Sequence, residues 1–238
     1  MIISLIKYNI SYYVKTAKYL PPLIFYMAFL GINYQTAPIG VWSNLHTTTI
    51  AIFIFASWIG SSFINSEDKT QQYITRLHVK NETIYYLAKI ASIIVFMIPF
   101  YAITMLIPLV QGSFIRNVLF IEMMVYIVMY FLIGLLGVAL GVLFNRDLIS
   151  TEPAILAQIL IVTIIILPFN VMFEEHLMIV TAYHLLPPVN FLAERLHSLG
   201  DGHFVFDSHF FIFVMYALGY AMALIAFFNW AVQRRNKK

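Results

Sequence analysis

Hydrophobic residues occur along most of this chain in long blocks that are separated by short polar stretches. A helix needs about twenty predominantly apolar residues to cross the hydrocarbon core of a bilayer. Blocks of about this length can be drawn over residues 20–37, 47–65, 83–110, 118–144, 153–173 and 209–232. The pattern predicts an all-α integral membrane protein with six transmembrane helices.

Composition agrees with a membrane protein and excludes several kinds of chemistry. Hydrophobic residues make up 61% of the 238 residues and charged residues only 11%, and the mean hydropathy is +0.85. Soluble domains carry about 25% charged residues. The chain has no cysteine, which excludes disulfides, thiolate catalysis and cysteine-ligated metals. It also lacks a phosphate-binding loop of the form G-x-x-x-x-G-K-[ST], so any ATP would be bound by another chain.

The distribution of lysine and arginine predicts the orientation of the spans. With the N-terminus inside, all of the 14 basic residues except Arg116 and Arg195 fall on the inner side. Cytoplasmic segments of membrane proteins carry such an excess. We therefore expect both termini and the polar stretch 66–82 in the cytoplasm, and residues 174–208 outside.

Residues 1–18 predict an amphipathic helix that lies in the membrane interface. At about 100° per residue, one narrow helical face carries Lys7, Ser11, Lys15 and Lys18, and most apolar side chains point elsewhere. A basic face beside an apolar face is typical of interfacial helices. A signal peptide is the alternative, but its basic region would be too long and no convincing cleavage site follows.

The external segment 174–208 is too apolar for a solvated loop, yet each of its two apolar parts is too short to span. Pro187 and Pro188 break the segment in the middle. Leu192 and Leu196 then continue an apolar stripe at helical spacing. We expect a re-entrant helical pair, in which these four residues cap the outer end of a pathway.

The densest polar stretch of the chain reads SEDKTQQYITRLHVKNETIYYLAK. Ser66 is a candidate N-cap for a short helix, with Glu67 and Asp68 in its first turn, where carboxylates suit the helix dipole. Asn81 is a candidate cap for the third span, with Glu82 in the opening turn. The stretch predicts a short cytoplasmic helix between the second and third spans.

Within this short helix, an apolar patch of Tyr73, Ile74 and Leu77 interrupts the polar surface. One interpretation is a solvated loop with a dipole-matched helix. The other is a docking surface, because an apolar patch is costly when it is left in water.

These features together resemble an ABC-2-type permease of the type V exporter kind. The shared features are an amphipathic N-terminus, six spans with both ends inside, a polar helix before the third span, a broken apolar pair before the last span and a basic tail. The segment INSEDKTQQYITRLHVKNETIYYLAKI is similar to the segment that this family carries before the third span. That segment has an acidic start, a glutamine, a basic residue and the pattern Tyr-x-x-x-Lys. The segment LLPPVNFLAERL resembles its proline-containing segment, and the resemblance covers essentially the whole chain.

The resemblance implies the membrane subunit of an ATP-driven exporter in a bacterial cytoplasmic membrane. ATP and Mg would be bound by a separate ATPase subunit, and this chain would bind no cofactor or metal and catalyse no reaction. Its other partners would be a second permease copy or a related permease, and membrane lipids, but no nucleic acid. The cargo would be amphipathic or hydrophobic, such as a peptide, toxin, antibiotic or lipid. By the same resemblance the residues that couple to the ATPase are Glu67, Asp68, Gln72, Tyr73, Ile74, Arg76 and Leu77.

A membrane-embedded, metal-dependent hydrolase is the alternative function. It would use histidines and glutamates in or beside the external segment, although neither H-E-x-x-H nor a comparable metal-binding spacing is present. These residues are Glu174, Glu175, His176, His184, Glu194, His197, His203 and His209.

Two charged residues are predicted to lie within spans. Glu122, near the outer end of the fourth span, is a candidate functional acid, since acids inside a membrane are commonly functional. It could equally reach water or pair with Arg116. Lys89 is expected to extend its ammonium group to the cytoplasmic surface.

Small residues mark faces where helices can approach closely. The fourth span contains a G-x-x-x-G step at Gly137 and Gly141, and the second span carries Ala56, Ser57 and Gly60. These faces indicate either packing within the subunit or a dimer contact.

Overall fold

The computed structural model describes residues 2–35, 37–79, 81–149, 151–167, 186–189 and 208–236. All regular secondary structure within these ranges is helical, which confirms the all-α prediction for this part of the chain. The helices are α1 (Ile2–Thr16), α2 (Leu20–Gln35), α3 (Val41–Ile64), α4 (Lys69–Val79), α5 (Glu82–Gln111), α6 (Phe120–Val142), α7 (Thr151–Ile166) and α8 (Ser208–Asn236).

Four of the described helices are long and apolar enough to cross a membrane. They are α3, α5, α6 and the part of α8 from Phe210 to Arg235. The helices α2 and α7 contain 16 residues each, fewer than the roughly twenty that a spanning helix needs. The structure therefore supports a multi-pass membrane protein, and the count of six spans stays a prediction.

Helix α3 begins at Val41, six residues before the predicted start of the second span. The predicted span left out residues 41–46, in which Ser43, Asn44 and His46 interrupt the apolar residues. In the structure the Asn44 side-chain amide donates to the Tyr126 hydroxyl of α6 at 3.4 Å. One turn later, the Thr48 hydroxyl donates to the Asn44 carbonyl at 2.6 Å, and that of Thr49 to the Leu45 carbonyl at 2.8 Å. Hydroxyls bonded to the preceding turn can be buried without leaving unpaired groups.

Helices α3 and α6 form the centre of the bundle and touch through their backbones. A Cβ atom added at Gly137 would lie 2.7 Å from the Phe53 carbonyl oxygen, and one at Gly141 would lie 2.2 Å from that of Ser57. Gly60 approaches the Val138 backbone from the other side. The small-residue faces therefore pack against each other within the chain.

One end of the bundle is closed by two turns that pair with each other. The backbone N–H of Ile39, between α2 and α3, donates to the Ser113 carbonyl at 2.8 Å. The N–H of Ile115, between α5 and α6, donates back to the Ile39 carbonyl at 3.1 Å. Gly112 ends α5 in the left-handed conformation, with φ of 63°, a geometry that glycine adopts without strain.

The opposite end of the bundle carries α4 together with α1. One face of α1 buries Leu5, Asn9 and Tyr13. The Asn9 amide donates to the Ser92 hydroxyl of α5 at 3.3 Å, and the Tyr13 hydroxyl donates to Ser62 of α3 at 3.1 Å. Helix α1 is thus fixed to both α5 and α3.

The C-terminal end of α8 lies at this same end of the bundle. The Gln233 amide donates to the Thr83 hydroxyl, in the first turn of α5, at 2.7 Å. The Arg235 guanidinium donates to the Leu148 carbonyl, in the turn after α6, at 2.6 Å. The N-terminal helix, the C-terminal end of α8 and α4 therefore share one end of the bundle.

Candidate functional site

The polar stretch forms the helix α4, but the helix starts later than its sequence predicts. It begins at Lys69, and the N–H of Gln72 donates to the Asp68 carbonyl at 2.9 Å. Asp68 therefore immediately precedes the helix, and Glu67 lies two residues before it. The predicted placement of both acids in the first turn is wrong, because a buried cation draws the Glu67 carboxylate into the bundle instead.

That cation is Lys89, in the third turn of α5. Its ammonium nitrogen lies 2.8 Å from Oε2 of Glu67, and the two side chains are only 1% and 2% exposed. The ammonium also donates to the Ile64 carbonyl at 3.2 Å, and the Tyr85 hydroxyl donates to the same Glu67 oxygen. The expectation that Lys89 extends to the surface is wrong. The Glu67 carboxylate and the Ile64 carbonyl compensate the ammonium for the loss of water.

The surroundings of Glu67 favour its charged form. Burial by itself would raise the pKa of Glu67, but the Lys89 ammonium and the hydrogen bonds to the carboxylate outweigh burial and hold that pKa below its ordinary value. The Tyr8 hydroxyl of α1 lies nearby and accepts from the Gln71 amide at 3.0 Å. Burial, and then the Glu67 charge, raise the pKa of Tyr8, so it stays a neutral phenol.

A second polar cluster holds the middle of α4 and is centred on Asp147, in the turn that follows α6. Its Oδ2 atom accepts from the Arg76 guanidinium at 2.8 Å, from the Gln72 amide at 2.9 Å and from the Tyr86 hydroxyl at 2.9 Å. The Arg76 guanidinium also lies over the Tyr86 ring, 5.0 Å from its centroid. Sequence reasoning missed Asp147, whose partners lie more than sixty positions earlier.

The opposite side of α4 is exposed and apolar. Tyr73, Ile74 and Leu77 are 64%, 43% and 58% exposed. The structure therefore divides the predicted coupling residues into two groups. The inward group bonds to the bundle and consists of Glu67, Gln72 and Arg76. The outward group is exposed and consists of Asp68, Tyr73, Ile74 and Leu77.

Glu122 lies at the other end of the bundle, in the first turn of α6. The Arg116 guanidinium binds both of its carboxylate oxygens, at 2.6 and 2.9 Å. The N–H of Leu119 donates to Oε2 at 2.9 Å, and the Glu122 side chain is fully buried. Of the predicted alternatives, pairing with Arg116 is the one found. This bidentate pair fixes the turn before α6 to the helix that follows it.

Two of the four residues of the predicted pathway cap lie outside the described residues. Pro187 and Pro188 are described and buried, and the N–H of Val189 donates to the Pro187 carbonyl at 2.7 Å. Leu192 and Leu196 fall outside the described ranges, as do the side chains of the histidines and glutamates of the hydrolase alternative.

Comparison with known protein families, curated proteins and solved structures found no match to this chain. A function for it must therefore be inferred from its residues and their geometry.

Proposed function

We propose that the chain is the permease subunit of an ATP-driven exporter, and that α4 is the helix through which a separate ATPase subunit acts on it. The observation that carries the proposal is the division of α4 into two faces. One face is bonded to the bundle through charged and polar side chains, and the other exposes three large apolar side chains. A tyrosine among aliphatic side chains is typical of residues that anchor protein interfaces.

The bonded face explains how α4 would transmit a force. The Glu67–Lys89 pair connects the segment before α4 to α5. Through Arg76 and Gln72, Asp147 connects the helix to the turn between α6 and α7. A push on the exposed face therefore reaches two parts of the bundle. Closure of the ATPase subunits on ATP would then move the spans, giving alternating access or lateral entry from the membrane.

The packing of the bundle limits where a pathway could run. No space for a Cβ atom exists between α3 and α6 at Gly137 or Gly141, so cargo cannot pass between these helices. A second permease copy, or a related chain, would supply the other wall. The apolar and aromatic character of the spans favours an amphipathic or hydrophobic cargo, such as a peptide, toxin, antibiotic or lipid.

Ile74→Asp tests the docking face. The substitution puts a charge into an exposed apolar patch, so the bundle should insert and melt as the wild type does. Stimulation of ATP hydrolysis by cargo transport should be abolished, because a desolvated carboxylate in the interface is costly. The measurement is ATP hydrolysis by the complex that co-purifies with the tagged chain, reconstituted in proteoliposomes.

Lys69→Gln is the matched control. Lys69 is also exposed on α4 and the substitution changes the net charge equally, but it lies at the start of the helix, about 140° around the helix axis from Ile74. This variant should keep normal stimulation. Normal coupling in Ile74→Asp, or purification of the intact chain without any ATPase, would contradict the proposal.

A further inference from the structure

The side of α1 that faces away from the bundle carries a strip of apolar side chains. Leu5, Asn9 and Tyr13 face α3 and α5. Beside this buried face, Ile3 is 83% exposed and Val14 is exposed as well. From Ile3 to Val14 the apolar strip extends about 16 Å along the helix.

A basic strip runs along the same helix, next to the apolar one. Lys7, Lys15 and Lys18 are exposed. The Lys18 ammonium donates to the Ser66 carbonyl at 3.2 Å, whereas Lys7 and Lys15 form no ion pair within the described part of the chain. No aspartate or glutamate occurs before Glu67, so this region of the sequence supplies no carboxylate to neutralise them.

The backbone separates α1 from the helix that follows. Ala17 has a φ of 55°, in the left-handed region, and its N–H donates to the Val14 carbonyl at 3.2 Å. The break means that α1 is not the first part of α2. A helix that is fixed to the ends of α3 and α5, with parallel apolar and basic strips on its free side, matches a bilayer surface, where acyl chains and headgroups meet.

We propose that α1 carries a binding surface for anionic phospholipid headgroups, formed by Lys7 and Lys15 beside the apolar strip of Ile3 and Val14. The apolar strip enters the acyl boundary, and the two ammonium groups contact phosphate-bearing headgroups of net negative charge. This surface does not require the ATPase partner, because α1 alone forms it.

The size of the effect follows from the charges. Each lysine near a membrane surface favours anionic lipid by about five-fold at moderate ionic strength. Two such lysines give an upper limit of about thirty-fold for the local enrichment. Salt should weaken the preference, because the Debye length shortens from about 10 Å at 0.1 M to about 3 Å at 1 M.

The chain contains no cysteine, so a single label can be placed without other changes. Val14→Cys, carrying an environment-sensitive fluorophore, is reconstituted in vesicles of phosphatidylcholine with one part in four phosphatidylglycerol. A nitroxide quencher is attached to the acyl chain of either the phosphatidylglycerol or the phosphatidylcholine, at the same mole fraction. The lipid composition is therefore constant, and only the labelled species changes.

Quenching by labelled phosphatidylglycerol should exceed quenching by labelled phosphatidylcholine by at least about five-fold at low salt. The ratio should fall to about one in 1 M salt and in the variant Lys7→Gln with Lys15→Gln, but not in Lys69→Gln. Equal quenching by both lipids, or a ratio that persists without the two lysines, would overturn the assignment. Absence of quenching by either lipid would place α1 away from the bilayer and would also overturn the assignment. An acidic protein surface would then be the partner of α1.

Discussion

Replacing Lys89 with methionine tests the buried ion pair beneath α4. The substitution keeps a long unbranched side chain but removes the ammonium that lies 2.8 Å from the Glu67 carboxylate. Because the Glu67 side chain is only 2% exposed, its charge would remain buried without a partner. Removal of one member of a buried pair costs about 3–5 kcal/mol. We expect Lys89→Met to lower the free energy of unfolding by about that amount.

The free energy of unfolding can be followed by fluorescence of the chain's three tryptophans in mixed micelles, as the fraction of sodium dodecyl sulfate is raised. The matched control combines Lys89→Met with Glu67→Gln. The amide removes the second buried charge and still offers an oxygen to the Tyr85 hydroxyl. The free energy of unfolding should therefore recover to within about 2 kcal/mol of the wild type.

Two results would refute this reasoning. A loss of less than about 1 kcal/mol in Lys89→Met would mean that the ammonium reaches water, since exposed pairs contribute no more than that. A double variant whose loss equals the sum of the two single losses would mean that Lys89 and Glu67 do not interact.

Two further predictions concern the same unfolding measurement. Gly141→Ala should lower the free energy of unfolding by about 1–3 kcal/mol, because the added Cβ would lie 2.2 Å from the Ser57 carbonyl oxygen. Gly219→Ala, with nothing within 4 Å of the added Cβ, should cause no loss. Acid should also weaken the fold. The pKa of Glu67 in the folded protein is below its unfolded value of about 4.3. The stabilisation from the Glu67 charge is therefore complete above about pH 4.3, and it is lost as the pH falls through the folded pKa. Between pH 6 and pH 3.5 the wild type should lose more stability than Glu67→Gln, and an equal loss in both would contradict the assignment.

The helices best predicted from sequence are those whose ends carry clear chemical signals. The predicted spans 83–110 and 118–144 agree within two residues with α5 and α6. The start of α5 is marked by Asn81, whose side chain accepts from the Ile84 N–H at 3.2 Å, as its capping role predicts. The start of α3 was missed because Ser43, Asn44 and His46 lower the apolar count there, and such a count cannot detect that the Asn44 amide donates to Tyr126 of α6.

The candidate site was predictable on its outer face and not on its inner one. Helical spacing alone groups Tyr73, Ile74 and Leu77, because residues one turn apart share a face. The partners of Lys89 and Asp147 lie elsewhere in the chain, and no local pattern encodes such distances. The one available signal was the position of Lys89 about two turns inside an apolar helix, where an ammonium group needs a counter-charge.

The direct contact of α3 with α6 has a mechanical consequence for any conformational cycle. The two helices approach so closely that a Cβ atom at Gly137 or Gly141 would meet a carbonyl oxygen of α3. We therefore expect the two helices to move as one body, with any motion of the bundle taken up at their ends. The turn of residues 65–68, which carries Glu67, lies at one of these ends. The residue that fastens the start of α4 to α5 therefore lies where such a motion would be taken up.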